Sequence, residues 1–156
     1  MDVQNITFRN ITAEDIPFLK EVYFSARLEE LAPAGWNEAQ TNEFLEMQFG
    51  FQHKSYTENY PAAELLVISR DHNDVGRLYI ERRENEIRII DIALLPKYRG
   101  RGIGSKIMKD ILREADDKKL PVTIHVERNN PALSLYARLG FEIIEDKGVY
   151  YFMEYK

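Results

Sequence analysis

The chain has 156 residues, 44% hydrophobic and 30% charged, with a formal charge of -5 and no cysteine. That length suits one domain over 1–156 with one active site, no run approaches the roughly 20 apolar residues of a membrane span, and Met1 to Asn5 lacks a secretory pattern, so a cytoplasmic protein without a membrane partner is expected. Without cysteine, disulfides, thiolate nucleophiles and thiolate metal ligands are excluded, and the net negative charge runs against a nucleic-acid partner.

Taken in chain order, Ile6-Thr7-Phe8-Arg9 alternates as a short strand, and Thr12-Ala13-Glu14-Asp15 has the spacing of a capping box. A helix follows, with Ile16, Leu19, Tyr23 and Ala26 at steps of three and four as its buried stripe. Asn37 with Gln40 caps a longer helix carrying Phe44, Leu45, Gln48, Phe49, Phe51, Gln52 and Tyr56. Glu64–Arg70, Val75–Arg83 and Glu86–Leu95 then read as an antiparallel meander with turns at His72-Asn73-Asp74 and Glu84-Asn85. In its last strand Ile87 and Ile89 alternate in one phase and Ile90, Ile92 and Leu94 in the other, which predicts a β-bulge. The remainder alternates helix and strand: a helix over about 102–117 with Ile103, Ile107, Met108, Ile111, Leu112 and Ala115 on its apolar face, a strand at Val122–Val126, a short helix beginning at Pro131 after Asn129 or Asn130 and ending at Gly140, and a hairpin of Phe141–Glu145 with Val149–Tyr155.

The segment with most chemistry is Arg99-Gly100-Arg101-Gly102-Ile103-Gly104, set between a strand and an amphipathic helix. Glycines let a backbone approach a ligand, and the free N–H groups of a helix start attract anions, so a phosphate-bearing ligand is expected. The nucleotide-kinase pattern is absent, because Ser105 precedes Lys106. A dinucleotide enzyme is a nearer competitor, with Glu127 about where a ribose-binding acid would sit, but the glycine spacing, the preceding meander and the short remaining chain fit it poorly.

Two separated motifs, Arg99-x-x-Gly102-x-Gly104 after Ile92-Ala93-Leu94-Leu95-Pro96-Lys97-Tyr98, and Asn129-x-x-Ala132-x-x-Leu135-Tyr136-x-x-x-Gly140-Phe141, resemble those of the GNAT acetyltransferase superfamily. The resemblance implies an α/β (α+β) fold: a mixed, mostly antiparallel central sheet of six to seven strands, about four flanking helices, and a splay between the fourth and fifth strands. It further implies acetyl-CoA as cosubstrate. Backbone groups of Ala93, Leu94 and Leu95 would pair with the pantetheine arm, one N–H polarising the thioester carbonyl. Amides of Gly100, Arg101, Gly102, Ile103, Gly104 and Ser105 would hold the pyrophosphate, helped by the Arg99 and Arg101 charges. Asn129 would bond the arm or neighbouring backbone, and Tyr136 would protonate the departing thiolate.

The base that takes the amine proton is open among Glu81, Asp91, His125 and Glu127, and His125 with Glu127 share a strand face where they would pair or sit solvated. No metal is expected, because His53, His72 and His125 are far apart and no His-Glu-x-x-His spacing occurs. Gln48, Gln52 and Tyr56 recur at steps of four and would line an acceptor pocket walled by Trp36, Phe51 and Tyr60, or would pack as core. The expected reaction moves an acetyl group to a primary amine of a small molecule, amino acid, peptide or protein; the alternative is a non-catalytic acyl-CoA sensor. The aromatic segment Val149–Tyr155 leaves monomer and homodimer both open.

Overall fold

A computed structural model describes residues 5–156; Met1 to Gln4, most of the segment inspected for a leader, lies outside the described residues. The elements are β1 (Ile6–Asn10), α1 (Ile16–Leu31), α2 (Glu38–Asn59), β2 (Glu64–Arg70), β3 (Asn73–Arg82), β4 (Ile87–Leu94), α3 (Ile103–Lys118), β5 (Val122–Glu127), α4 (Leu133–Leu139), β6 (Glu142–Asp146) and β7 (Tyr150–Tyr155). The seven strands form one sheet in the order β1-β2-β3-β4-β5-β7-β6. Every neighbouring pair is antiparallel except β4 with β5. The expected mixed sheet and four helices are present. Among the described residues no helix is long and apolar enough to cross a membrane.

The phase switch in β4 has a direct cause. Tyr79 pairs with Asp91 and the next rung is Ile80 with Ile89, so Ile90 is the extra residue of a bulge. Ile87 and Ile89 stay under α3 in the larger core, which also holds Leu78, Ile80, Ile107, Met108, Ile111 and Ile124. On the other face α1 and α2 form a smaller cluster of Leu19, Tyr23, Leu45 and Phe49. The α1 stripe runs through Leu19, Val22 and Tyr23, whereas Ala26, expected in it, is exposed. The helix begins at Ile16, where Pro17 is tolerated because first-turn N–H groups have no intrahelical acceptor.

The corner between β1, α1 and the β2–β3 turn is fixed by one carboxylate. Asp15 accepts from Arg9 at 2.8 and 2.9 Å and from the Thr12 amide at 2.8 Å, while Arg9 also reaches Asp74 at 3.0 Å. The Arg9 bonds lead in lowering the Asp15 pKa from 3.8 to about 2, against the cost of burial. A carboxylate so lowered contributes stability above its unfolded pKa, and that contribution is lost as pH falls through the folded value. Asp15→Asn should therefore lower unfolding free energy by about 1–2 kcal/mol at pH 7 and lose that deficit near pH 2. Urea melts at the two pH values check this, and an equal deficit at both would contradict it.

Candidate active site

The β4–β5 pairing has three rungs, Ile87 with Val122, Arg88 with Thr123 and Ile89 with Ile124. Beyond Ile89 the two strands diverge, and the far half of β4 bonds only to β3. Successive residues of a strand aim their N–H and C=O groups at opposite edges. Leu95 donates its amide to Val75 O at 2.9 Å, so Leu95 and Ala93 face β3. Ile92 and Leu94 face the splay, and Leu94 O there accepts from Arg99 Nε at 3.0 Å. Of the three residues expected to offer backbone to a pantetheine arm, Leu94 has that orientation; the Leu95 amide is already engaged.

The glycine turn closes one end of the splay. After a turn of 3-10 helix at Pro96–Tyr98, Gly100 and Gly102 adopt left-handed φ values of 71° and 82°, where a side chain would be strained. Lys106 N bonds Gly102 O at 2.9 Å as the helix begins. The amides of Ile103, Gly104 and Ser105 thus lie in the first turn of a helix, without intrahelical acceptors and at its positive end. Arg99 and Arg101 are exposed beside them.

Tyr136 lies on α4 and is 5% exposed, packed against Phe141 at 5.8 Å between ring centroids. Burial first, and then the Asp91 charge, push its phenol from 10 up to about 12, so at neutral pH it keeps its proton. The helix that carries it starts at Leu133 and not at Pro131, because Asn130 Oδ1 accepts from Ala132 N at 2.8 Å and forms a turn first. Gly140 ends it at φ 107°, as expected of a left-handed terminus. Asn129 is exposed just past β5.

The four candidate bases differ in their partners. Glu81 accepts from Arg83 at 2.9 and 3.1 Å, Glu127 from Arg27 at 3.2 Å, and Asp91 from Arg77 Nε at 2.6 Å. His125 and Glu127 were open to pairing or to solvation, and no hydrogen bond joins them among the described residues. His125 lies tilted at 33° against Phe152, 4.7 Å between ring centres, and 3.3 Å from Lys147 Nζ. Burial, then Arg88 and Lys147, lower its pKa below 6.5, which leaves the imidazole neutral at pH 7. It is also the first β5 residue past the last rung shared with β4.

On the helical side Gln52 and Tyr56 face the sheet, while Gln48 meets α1. Gln48 accepts from the Tyr23 hydroxyl at 3.4 Å, Gln52 from Arg77 at 3.0 Å, and Tyr56 packs edge-on against Tyr79 at 5.2 Å. Burial raises the Tyr56 phenol. Trp36 and Phe51 do not wall this region. Trp36 is 42% exposed and packs on Phe44, and Phe51 is 68% exposed. The reason is angular: Phe51 is three residues from Gln48 but only one from Gln52, so it lies outside the Gln48–Gln52–Tyr56 row. Arg77 and Tyr79 were not among the expected site residues; the available signal was an Arg in mid-strand sharing the phase of an aromatic residue, Tyr79, which pairs with Asp91.

A hollow of about 660 Å³ lies elsewhere, between α3 and β1–β3, and Leu66, Leu78 and Ile107 are among its lining residues. Its charges are paired, Arg82 with Glu64 and Glu114, Lys106 with Asp110, and Arg9 with Asp15 and Asp74 outside it. Among the described residues no group of three His, Cys, Asp or Glu is placed to hold a metal ion.

Sheet order, splay, glycine turn and the tyrosine helix together define an acetyltransferase fold, and residues 61–143 match the acetyltransferase (GNAT) domain model. The chain belongs to that family. It is 35% identical over 110 residues to N-alpha-acetyltransferase 50 of Danio rerio, covering 65% of each chain. Among solved structures it resembles the PaiA N-acetyltransferase of Thermoplasma acidophilum in complex with coenzyme A, at TM-score 0.72 and 19% identity over 97% of this chain and 98% of that one. It also resembles Arabidopsis thaliana Naa50 in complex with the bisubstrate analogue CoA-Ac-MVNAL, at TM-score 0.60 and 21% identity over 97% and 99%. The structural likenesses establish the fold. The chain spans 56% to 65% of the length of the first curated relatives it matches.

Gly76 sets the path of β4 into the splay. A Cβ there would lie 2.2 Å from Ala93 O and 2.9 Å from Leu94 Cδ2, a distance that requires backbone to move. Gly76→Ala should cost about 1–3 kcal/mol of stability and shift the Ala93 and Leu94 amide resonances. An unchanged melt with unchanged amides would contradict this account of the close approach.

Proposed function

We propose that the protein transfers an acetyl group from acetyl-CoA to a primary amine by direct attack in a ternary complex. The observation that carries the reading is the early end of the β4–β5 pairing, after three rungs, on a strand that runs on into the glycine turn and the start of α3; a buried, protonated Tyr136 near the Asp91 charge supports it. The pantetheine arm lies along β4 as an added strand on the Ile92 and Leu94 edge, and one amide there donates to the thioester oxygen. Amides of the Gly100–Ser105 turn hold the pyrophosphate, with Arg101 adding charge and Asn129 at the exit of β5 bonding the arm or its neighbouring backbone.

In the reaction the amine nitrogen bonds the acetyl carbon, the carbon–sulfur bond breaks, and the electron pair leaves on sulfur. Tyr136 Oη gives its proton to that sulfur and regains one from solvent. The surplus amine proton passes to water and on to His125, the candidate not held by a carboxylate–guanidinium pair. The products are an acetamide and CoA thiol. A peptide or protein α-amine is the acceptor class to test first, on the strength of the name of the Danio rerio relative.

A panel of free amines assayed for CoA release tests the reading, with turnover expected for at least one peptide α-amine and binding of acetyl-CoA without any turnover favouring a sensor. Gly102→Asp, placing a side chain and a negative charge in the anion cradle, should abolish acetyl-CoA binding while the protein stays folded; retained affinity would refute the cradle. Tyr136→Phe should lower kcat by about 100-fold with acetyl-CoA affinity little changed; equal turnover would remove the phenol from the mechanism. As pH falls, kcat/KM should drop with a midpoint below the ordinary 6.5 of imidazole, since protonated His125 can no longer accept. His125→Gln should remove that limb; its persistence would exclude His125.

A further inference from the structure

Beneath the acceptor side of the splay lies a cation that the transfer chemistry does not use. Arg77 is 4% exposed, held by Asp91 at 2.6 Å and Gln52 at 3.0 Å, and its guanidinium lies 5.1 to 6.0 Å from the ring centres of Tyr79, Tyr23 and Tyr56. The Tyr79 hydroxyl is fully buried beside the guanidinium and has no other hydrogen-bond partner among the described residues. Burying a guanidinium is costly unless a carboxylate and further acceptors meet it, and removing one partner strands the other charge. Such a pair is weak evidence for stability, so its place in the molecule is the informative fact. Asp91 follows the β4 bulge and precedes the residues that line the splay. Arg77 engages Oδ2, and Oδ1 has no hydrogen bond among the described residues. The Asp91 side chain is 26% exposed, and its charge reaches the Tyr136 phenol.

We propose that Arg77 is a positioning residue that fixes Asp91 as an ammonium anchor, so that Asp91 holds the incoming amine in its charged form and another group takes the proton. The fixed carboxylate supplies a charge-assisted acceptor, and the Tyr56 and Tyr79 rings hold the guanidinium that fixes it. The buried guanidinium at 2.6 Å fixes the Asp91 carboxylate in place as an acceptor. The acceptor class is therefore a primary amine that arrives protonated, and uncharged isosteres are rejected by loss of the ionic contact. The inference rests on the acetyl-transfer reading for where the amine must sit.

The test compares calorimetric binding of the pentapeptide MVNAL, the peptide named in the neighbour's bisubstrate analogue, with that of its α-hydroxy counterpart, both to CoA-loaded protein. The parent should prefer the amine by about tenfold or more, and Asp91→Asn and Arg77→Met should each lose the preference. Arg77→Lys, which keeps the charge, should retain most of it. In turnover Arg77→Met should raise acceptor KM about tenfold while kcat stays within about threefold. Asp91→Asn, nearly isosteric, keeps the comparison valid if Arg77→Met fails to fold. No preference in the parent, no binding of the free amine, or a preference surviving both substitutions would overturn the proposal. Failure of the acetyl-transfer reading shows separately, as preference for the amine without CoA release.

Discussion

The parallel pairing of β4 with β5 ends after three rungs, and the rest of the molecule's chemistry depends on that ending. A parallel pair buried on both faces would ordinarily continue its ladder, since unpaired N–H and C=O groups away from water are costly. The extra residue Ile90 turns β4 before the cost is met, and the Gly76 contact lets the turned end lie close against β3. Leu94 thereby presents backbone to an open wedge while its neighbours Ala93 and Leu95 stay bonded to β3. The same strand leads into the glycine turn and α3, so the splay and the anion cradle are consecutive parts of one stretch of chain.

The two faces of the sheet divide the labour. Under α3 and α4 the face is apolar, and its close packing with Ile103, Ile107, Met108 and Phe141 holds the glycine turn and Tyr136 in fixed relation. The face under α1 and α2 is polar where it meets the splay, with Arg77 donating to both Asp91 and Gln52 and three tyrosine rings around the guanidinium. A rigid apolar side suits a cofactor common to many relatives. A polar side built from α2 suits an acceptor that differs among them.

Much of this was legible in the sequence because local patterns fixed it. The period-two alternation that breaks at Ile89 and Ile90 located the bulge, and the spacing of Asn37 with Gln40 and of Thr12 with Asp15 located two helix starts. Glycines at 100, 102 and 140 sit at positive φ, as their turns require. What was not legible depended on contacts between distant segments. Arg77 reads as an ordinary strand charge until Asp91, Gln52 and three tyrosines from other elements surround it. Glu81 and Glu127 looked equivalent to His125 until Arg83 and Arg27 were seen to hold them. Trp36 and Phe51 carried an aromatic signal whose direction only the helix geometry could supply.

Cofactor binding in the splay depends on the direction in which β4 offers its backbone. Amide hydrogen exchange, followed residue by residue with and without acetyl-CoA, measures this directly. The account predicts new protection at Ile92 or Leu94 and at the amides of the Gly100–Ser105 turn, with Leu95 already protected and unchanged. Protection confined to the hollow between α3 and β1–β3, or no change at Ile92, Leu94 and the turn, would contradict it.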